Sequence, residues 1–261
     1  PLRTSITIRH NQDNKGFSAG CNAGISLALD DPHINAIWLL NNDTQPNISS
    51  LLHLQSALMN THRNIFGSSV IYTPERYSST TFPKGAVLQA AGGATYNPLS
   101  TQVAMSYSNT LLDDIHDVPD QKLDYIYGAS FFAPASLFRD VGYLDERFFL
   151  YYEELDMCLR ASKASYGLSW CRESIIAHDV SASIQHSERH SPKSCLSSFH
   201  EARSTILFSC KHFPHYFPFF FFARTVGKLA VLIKRREWHK IVPSLRGVFS
   251  GLWDSCKMQK I

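Results

Sequence analysis

Glu153, Glu154 and Asp156 place three carboxylates within four positions, in the run Tyr152-Glu-Glu-Leu-Asp-Met-Cys-Leu-Arg160, and His178 follows downstream. Far upstream, Leu39-Leu40 ends an apolar run in Asn41-Asn42-Asp43-Thr44, which adds one more carboxylate. Such groups at the edge of a sheet suit two tasks, holding a divalent cation and removing a proton. Magnesium takes only one or two protein carboxylates, leaving phosphates and water to complete its shell, and Asp43 fits that pattern. Each feature also has a plainer explanation. Asn-Asn-Asp-Thr followed by Pro46 is ordinary turn chemistry. Acids in a first helical turn complement the helix dipole by about 0.3–1 kcal/mol each, and Asp156 with Arg160 makes an i,i+4 pair. Leu155 and Leu159 mark the apolar face, so Glu154 and Asp156 need not point the same way. A glycosidase-type carboxylate pair is a further alternative, although nothing in the spacing sets the separation it needs.

Asn14-Lys-Gly-Phe-Ser-Ala-Gly-Cys-Asn-Ala-Gly24 is a glycine-punctuated loop feeding a helix N-terminus. Glycines let the backbone approach a ligand, and free N–H groups there favour an anion. No Gly-Lys-[Ser/Thr] follows at Walker spacing, and the G-x-G-x-x-G pattern is absent. A glycine turn with Asn22 as a capping residue explains the loop equally simply.

These residues must be positioned by alternating elements. Ser5–Arg9 alternates and is β-branched, predicting a short strand. The glycine loop leads into a helix that ends near Asp30-Asp31-Pro32. Ala36–Leu40 is a continuous apolar run, as expected of a strand buried on both faces of a parallel sheet. Residues 49–61 read as helix and 65–71 as strand, so the pattern is that of an α/β domain with ligands at the carboxyl ends of its strands. From Thr73 to Pro119 Gly, Ser, Thr and Tyr dominate, with Ala91-Gly-Gly-Ala94 as a turn. A strand over 123–127 is followed by Gly128-Ala-Ser130 and a helix with Pro134 near its start and Gly142 past its end. A second helix runs from Glu153 to about Ala164 and is closed by Gly167. Short strands follow over 168–171 and 174–177. Beyond His190 three helices are expected, over 192–212, 217–233 and 238–253.

A chain of 261 residues, 44% hydrophobic, buries a full core. Its net charge of +3 is too small to argue for nucleic acid. Six cysteines without a C-x-x-C pair read as reduced, cytosolic packing residues, with a Cys171/His178 zinc site as the lesser alternative. No apolar leader opens the chain. It starts without Met and enters a strand-like segment at once, so an N-terminal β-α-β unit is expected to be missing. No window reaches the ~20 apolar residues of a membrane span, because His215, Arg224 and Lys228 interrupt 213–233. The basic, aromatic stretch 213–240 suits a peripheral contact with the membrane interface instead.

Taken together, Asn14–Asn22, Leu39–Thr44, Gly128–Ala133, Val141–Phe149, Tyr151–Arg160 and Ile175–Ser183 resemble, in order and spacing, the inverting family 2 glycosyltransferases. The likeness is to the rhamnosyltransferase-like branch that builds bacterial surface polysaccharides. It implies a GT-A fold, an α/β Rossmann-like mixed sheet flanked by helices over residues 1–190, with a C-terminal helical region over 191–261. It implies a nucleotide-sugar donor, dTDP-rhamnose or a UDP-sugar, a saccharide or lipid-linked acceptor, and Mg²⁺ or Mn²⁺. Asp43 and His178 would hold the metal and Glu154 would be the general base. Glu153 and Asp156 would stand beside it, Asp156 on the acceptor side. Asn14, Gly16, Phe17, Asn22, Asn41, Gly128 and Arg160 would bind substrate. The place of work would be the cytoplasm, at the cytoplasmic face of the inner membrane. Glu154 stands where the family usually has Asp, and the first β-α-β unit of the family has no counterpart here. The other class of reading is therefore a truncated, non-catalytic nucleotide-binding or structural α/β remnant.

Overall fold

The computed structural model describes residues 5–73, 85–115, 122–179 and 192–258. Nine strands and the helices between them form one mixed sheet and one small antiparallel sheet among these residues. The strands are β1 (Ala36–Leu40), β2 (Thr44–Pro46), β3 (Asn64–Tyr72), β4 (Leu88–Ala91), β5 (Gly93–Asn97), β6 (Gln102–Met105), β7 (Tyr125–Ile126), β8 (Ser130–Pro134) and β9 (Gly167–His178). The large sheet has the order β1-β8-β3-β9-β2, with β4 also paired to β3; β6-β5-β7 make the small one. Helices α1 (Phe17–Leu29), α2 (Ser50–Asn60), α3 (Ala135–Asp140) and α4 (Glu153–Lys163) flank them. The helical tail comprises α5 (Pro192–His212), α6 (Phe217–Phe222), α7 (Lys228–Lys234) and α8 (Ile241–Met258).

The centre of the sheet is the parallel pair β3–β9, in register from Asn64 opposite Gly167 to Tyr72 opposite His178, with one irregularity between Ser68 and Ser69. β3 is buried almost throughout because both faces are covered. On one side α4 turns Leu155, Met157, Cys158 and Ala161 into a core shared with Phe131, Phe138, Leu144 and Phe148. Leu207 and Phe208 of α5 enter this same core, so the tail packs on the sheet domain. Ala202, Ile206, Phe220 and Val248 form a second cluster that joins α5, α6 and α8.

Several expectations are corrected here. Residues 5–9 form no strand; Ile6 and Ile8 are exposed, and alternation alone does not make a strand without a ladder partner. β1 is where expected, but it runs antiparallel to β8 and only Ile37 is buried. Ser130–Pro134 is a strand that the sequence pattern does not separate from the following helix; that helix runs from Ala135 to Asp140 with Pro134 as its N-cap and Gly142 past its end, as expected. The expected strands at 168–171 and 174–177 are one continuous strand with a bulge. Finally, Pro214–Lys234 is 21 residues long and apolar enough, by length and composition, to cross a membrane, with only 17% of its apolar window buried. Arg224 and Lys228 do not disqualify it because five phenylalanines and five Val, Leu or Ile residues in the same segment outweigh two charges.

Candidate active site

The β2–β9 ladder places the first pair of site residues. Thr44 pairs with His178 in that ladder, and the Asp179 N–H donates to Asp43 O at 3.0 Å. Asp43 and His178, far apart in sequence, are thereby brought side by side, with His178 Nε2 3.2 Å from Asp43 Oδ1. Gln89, on β4, fixes the imidazole. Its Nε2 donates to the carbonyls of His178 (2.8 Å) and Ile71 (3.3 Å), which leaves its Oε1 to accept from His178 Nδ1 at 2.9 Å. With the proton on Nδ1, Nε2 presents a lone pair to a carboxylate oxygen. Two acceptors facing each other at this distance call for a cation between or beside them, either a second proton on the ring or a metal ion. Ligands on adjacent corners of an octahedron, each about 2.1 Å from its centre, stand about 3 Å apart. One carboxylate and one oriented imidazole therefore fit a divalent cation whose remaining ligands come from substrate and water. Among the described residues, no group of three or more His, Cys, Asp or Glu side chains could hold a metal unaided.

The second pair stands at the N-terminus of α4. Tyr151 and Tyr152 both have left-handed backbones, φ 69° and 73°, immediately before Glu153 and Glu154. Left-handed conformation in a non-glycine residue costs about 1–2 kcal/mol, and packing must enforce it. Tyr151 OH bonds Ser197 Oγ at 2.7 Å, and the Tyr152 ring sits against Tyr96 and Phe208. Glu153 is buried, and its Oε2 meets no hydrogen-bond partner among the described residues. Burial pushes the Glu154 carboxyl up to about 7. Burial and the neighbouring charge of Glu154 hold Glu153 well above the ordinary carboxylate range. Glu154 thus exchanges its proton near neutrality, the range useful to a general base, while Glu153 holds its own more tightly.

Tyr127 and Gly128 join the two pairs. The Tyr127 ring lies edge-on to the His178 ring at 6.0 Å. Its hydroxyl is pushed up to about 12 by burial and then by the charges of Glu154, Asp43 and Tyr72. Gly128 gives the Glu154 carboxylate its room, since a Cβ there would come within 1.6 Å of Glu154 Oε1. Asn41 is anchored beside this segment, its N–H on Ala129 O (3.3 Å) and its carbonyl taking the Thr44 hydroxyl (2.6 Å).

Other expected residues are engaged by contacts within the fold. Asp156 is fully buried and engaged by Lys211 (2.5 Å), His212 (2.7 Å) and Arg160 (2.8 Å), so it faces the tail and not an open site. Arg160 spends its other nitrogens on the carbonyls of Val141 and Tyr143. The Asn22 amide is likewise consumed: it bonds both the N–H and the carbonyl of Leu144, and Glu146 as well. Asn14 Oδ1 accepts from the Gly16 N–H at 3.0 Å, and Phe17 N–H donates to Phe149 O at 2.8 Å. Gly16 has φ 93° and a Cβ there would strike Phe149 O at 2.4 Å, so glycine is required. This loop is docked on the segment that leads into α4. Beside it lies a cavity of about 580 Å³ lined by Arg9, Lys15, Tyr143 and Glu146 among others.

A second cavity, of about 510 Å³, opens directly on Glu153 and Glu154. Its walls include Tyr125, Tyr127, Tyr151, Tyr152, Val103 and Met105, and also Glu201 and Arg224 of the tail. Sequence reasoning missed Gln89, Tyr127, Glu201 and Arg224. A lone glutamine inside the apolar run Leu88-Gln-Ala-Ala91 was the signal for the first. No local signal pairs Glu201 with Arg224.

No family model matches the chain. Over 162 residues, 61% of its length, the chain is 26% identical to the low-salt glycan biosynthesis hexosyltransferase Agl10 of Haloferax volcanii. It spans about half, 47%, of that protein. Among solved structures it is similar to GalNAc-T7, crystallised with UDP, GalNAc and Mn²⁺, with a TM-score of 0.50 and 11% identity over 76% of this chain and 35% of that one. The mixed sheet flanked by helices is thus a GT-A-like glycosyltransferase fold, and the chain is homologous to a hexosyltransferase of glycan synthesis.

Proposed function

We propose that the chain carries the active site of an inverting glycosyltransferase that moves a hexose, rhamnose foremost, from a nucleotide-sugar donor to a saccharide or lipid-linked acceptor. The observation that carries this reading is the junction of two pairs: the buried carboxyls of Glu153 and Glu154, of which Glu154 is raised to about 7, joined through Tyr127 to Asp43 and His178. The first supplies a base. The second supplies a seat for a cation. Sugar transfer from a nucleoside diphosphate needs both, and the homology to a hexosyltransferase supports the same class.

In this mechanism Glu154 takes the proton of the acceptor hydroxyl as that oxygen attacks the anomeric carbon. The new C–O bond forms on the face opposite the breaking bond to the diphosphate, so configuration inverts in a single displacement. Glu153, protonated in its buried position, removes the like-charge repulsion that would otherwise oppose ionisation of Glu154. Asp43 and His178 would hold Mg²⁺ or Mn²⁺, which supplies Lewis-acid neutralisation of the departing diphosphate. GalNAc-T7, which shares the fold, was crystallised with Mn²⁺ and UDP, and this supports the same choice here. Asn14, Gly16 and Phe17 shape the donor side of the site.

The test is release of nucleoside diphosphate from a panel of UDP- and dTDP-sugars with Mn²⁺, with and without added saccharide acceptors, together with analysis of the anomeric configuration of any product. Acceptor-dependent release with inversion is expected. No release from any donor, or a product of retained configuration, would overturn the reading.

A peripheral membrane contact belongs to the same proposal. Phe219, Phe222, Trp238, Phe249 and Trp253 are all exposed on the tail, and exposed aromatic groups beside basic ones suit the interface of the cytoplasmic leaflet.

A further inference from the structure

The cavity that holds Glu153 and Glu154 is closed on its far side by the tail, at Glu201 and Arg224. Arg224 lies in a five-residue π-turn, Ala223–Gly227, between α6 and α7. Such turns interrupt the regular ladder and recur at functional sites. The Arg224 side chain is only 10% exposed. One terminal nitrogen, Nη2, donates to Glu201 Oε1 at 2.5 Å, while Lys228 Nζ reaches both oxygens of Glu201 at 3.2 and 3.0 Å. Two cations thus hold Glu201, and Glu201 in turn aims the guanidinium. Among the described residues the buried Arg224 Nε–H meets no acceptor. A buried donor left without a partner costs about 1–3 kcal/mol, so a ligand oxygen that met it would recover that energy.

Resting on the transferase reading, we propose that Arg224 is a specificity-determining residue of the acceptor site, donating through Nε to a hydroxyl or ring oxygen of a neutral acceptor saccharide, with Glu201 as its positioning residue. The rest of the wall suits a sugar. Tyr125, Tyr127, Tyr151 and Tyr152 offer ring surface and hydroxyls in a mostly apolar pocket with a few fixed polar groups. A phosphorylated group fits poorly, because ionised Glu154 lines the same space and would repel it, while the Arg224 charge is already engaged by Glu201. The helical tail is then part of the active site and reads the acceptor.

The experiment is ligand-observed NMR of the full chain against the methyl glycosides of glucose, galactose, mannose, rhamnose and N-acetylglucosamine, and against glucose 6-phosphate. Arg224→Lys keeps the charge opposite Glu201 but removes the Nε donor, and should weaken methyl glycoside binding about tenfold. Val103→Trp adds bulk to the β6 wall of the cavity while leaving Arg224 and Glu201 themselves unchanged, and should abolish binding. Thermal melts confirm that each variant is folded, and titration with UDP and with dTDP in the same samples reads the donor side separately. Saccharide binding lost in both variants, with neither UDP nor dTDP bound in any sample, would uphold this inference while removing the transferase reading. Binding by wild type that neither variant alters, tighter binding of the sugar phosphate, or no saccharide binding by folded wild type would each overturn the inference.

Discussion

The Asp43 carboxylate and the His178 imidazole face each other at 3.2 Å because β2 and β9 pair at Thr44 and His178, and Gln89 turns the ring so that Nε2 points at the carboxylate. A lone pair directed at a carboxylate makes sense when a cation sits with them, which sets the first prediction. Gln89→Ala removes no ligand but frees the ring, and outer-shell losses of this kind typically weaken metal binding about 10–100-fold. Mn²⁺-dependent UDP binding, followed by calorimetry, should fall by that amount in Gln89→Ala and vanish in Asp43→Ala or in excess chelator. Undiminished binding in Asp43→Ala would show that the pair is a structural contact.

Glu154 is expected to act as the base in its ionised form, so its titration appears in the rate. With its carboxyl raised to about 7 by burial, kcat should climb as pH rises through that value and level off above it. Glu154→Gln should lower kcat by about 10²–10⁴ and remove this limb. A flat profile across neutral pH, or a glutamine variant with near wild-type turnover, would move the base elsewhere.

Glu153 makes a prediction about stability with the opposite pH sense from most carboxylates. Its folded pKa is raised, by burial and then by the Glu154 charge, so the folded state holds a proton that the unfolded chain has already lost. Stability is therefore fully present below the unfolded value and falls as pH rises through the folded one. Glu153→Gln should raise Tm at alkaline pH, by about 2–4 °C for each kcal/mol recovered, and change it little in acid. Equal shifts at both ends of the pH range would refute the buried-charge explanation.

Asp156 behaves in the reverse sense. Although burial alone would raise its pKa, His212, Lys211 and Arg160 hold it below the ordinary value. Its contribution is present above the unfolded pKa and is lost as pH falls through the folded one. Breaking a buried ionic cluster by removing one member typically costs about 3–5 kcal/mol. Asp156→Ala should therefore depress Tm strongly at neutral pH, with the difference from wild type shrinking in acid. A variant that melts like wild type yet has lost transfer would return Asp156 to the catalytic set.

The sequence was informative where one residue type had one physical use. The glycine at position 16, the Asn-Asn-Asp turn after β1 and the acid-rich start of α4 all stand where their chemistry placed them. It was uninformative where the use depended on a distant partner. Asp156 and Glu154 are indistinguishable as letters two positions apart, yet a helix turns them to different neighbours, Lys211 and His212 for one and Gly128 for the other. Ile6 and Ile8 alternate as a strand would, but strand formation is decided by a neighbouring backbone that no local pattern encodes. Ser130-Phe-Phe-Ala-Pro134 is too short for periodicity to separate a buried strand from the first turns of a helix.

The tail yields the last prediction, and its geometry changes the charge available for it. Of the six basic residues between Arg224 and Lys240, Arg224 and Lys228 are drawn inward onto Glu201, and Lys240 pairs with Glu237 at 3.0 Å. Lys234, Arg235 and Arg236 remain exposed at the end of α7, close in sequence to the exposed ring of Trp238. Pro214–Lys234 has the length and composition of a spanning helix, but the two inward cations tie one of its faces to α5. That arrangement favours a helix lying in the interface over one that crosses it. Three basic residues near an anionic leaflet contribute about 1 kcal/mol each, a modest attraction that salt should screen. In liposome flotation the chain should rise with anionic vesicles at low salt, release as salt increases, and ignore neutral vesicles. Replacing Lys234, Arg235 and Arg236 with serine should abolish flotation at low salt, and Trp238→Ser together with Trp253→Ser should weaken it at every salt concentration. A chain that stays in the soluble fraction with anionic vesicles at low salt would remove the membrane role and leave these aromatic rings without that assignment.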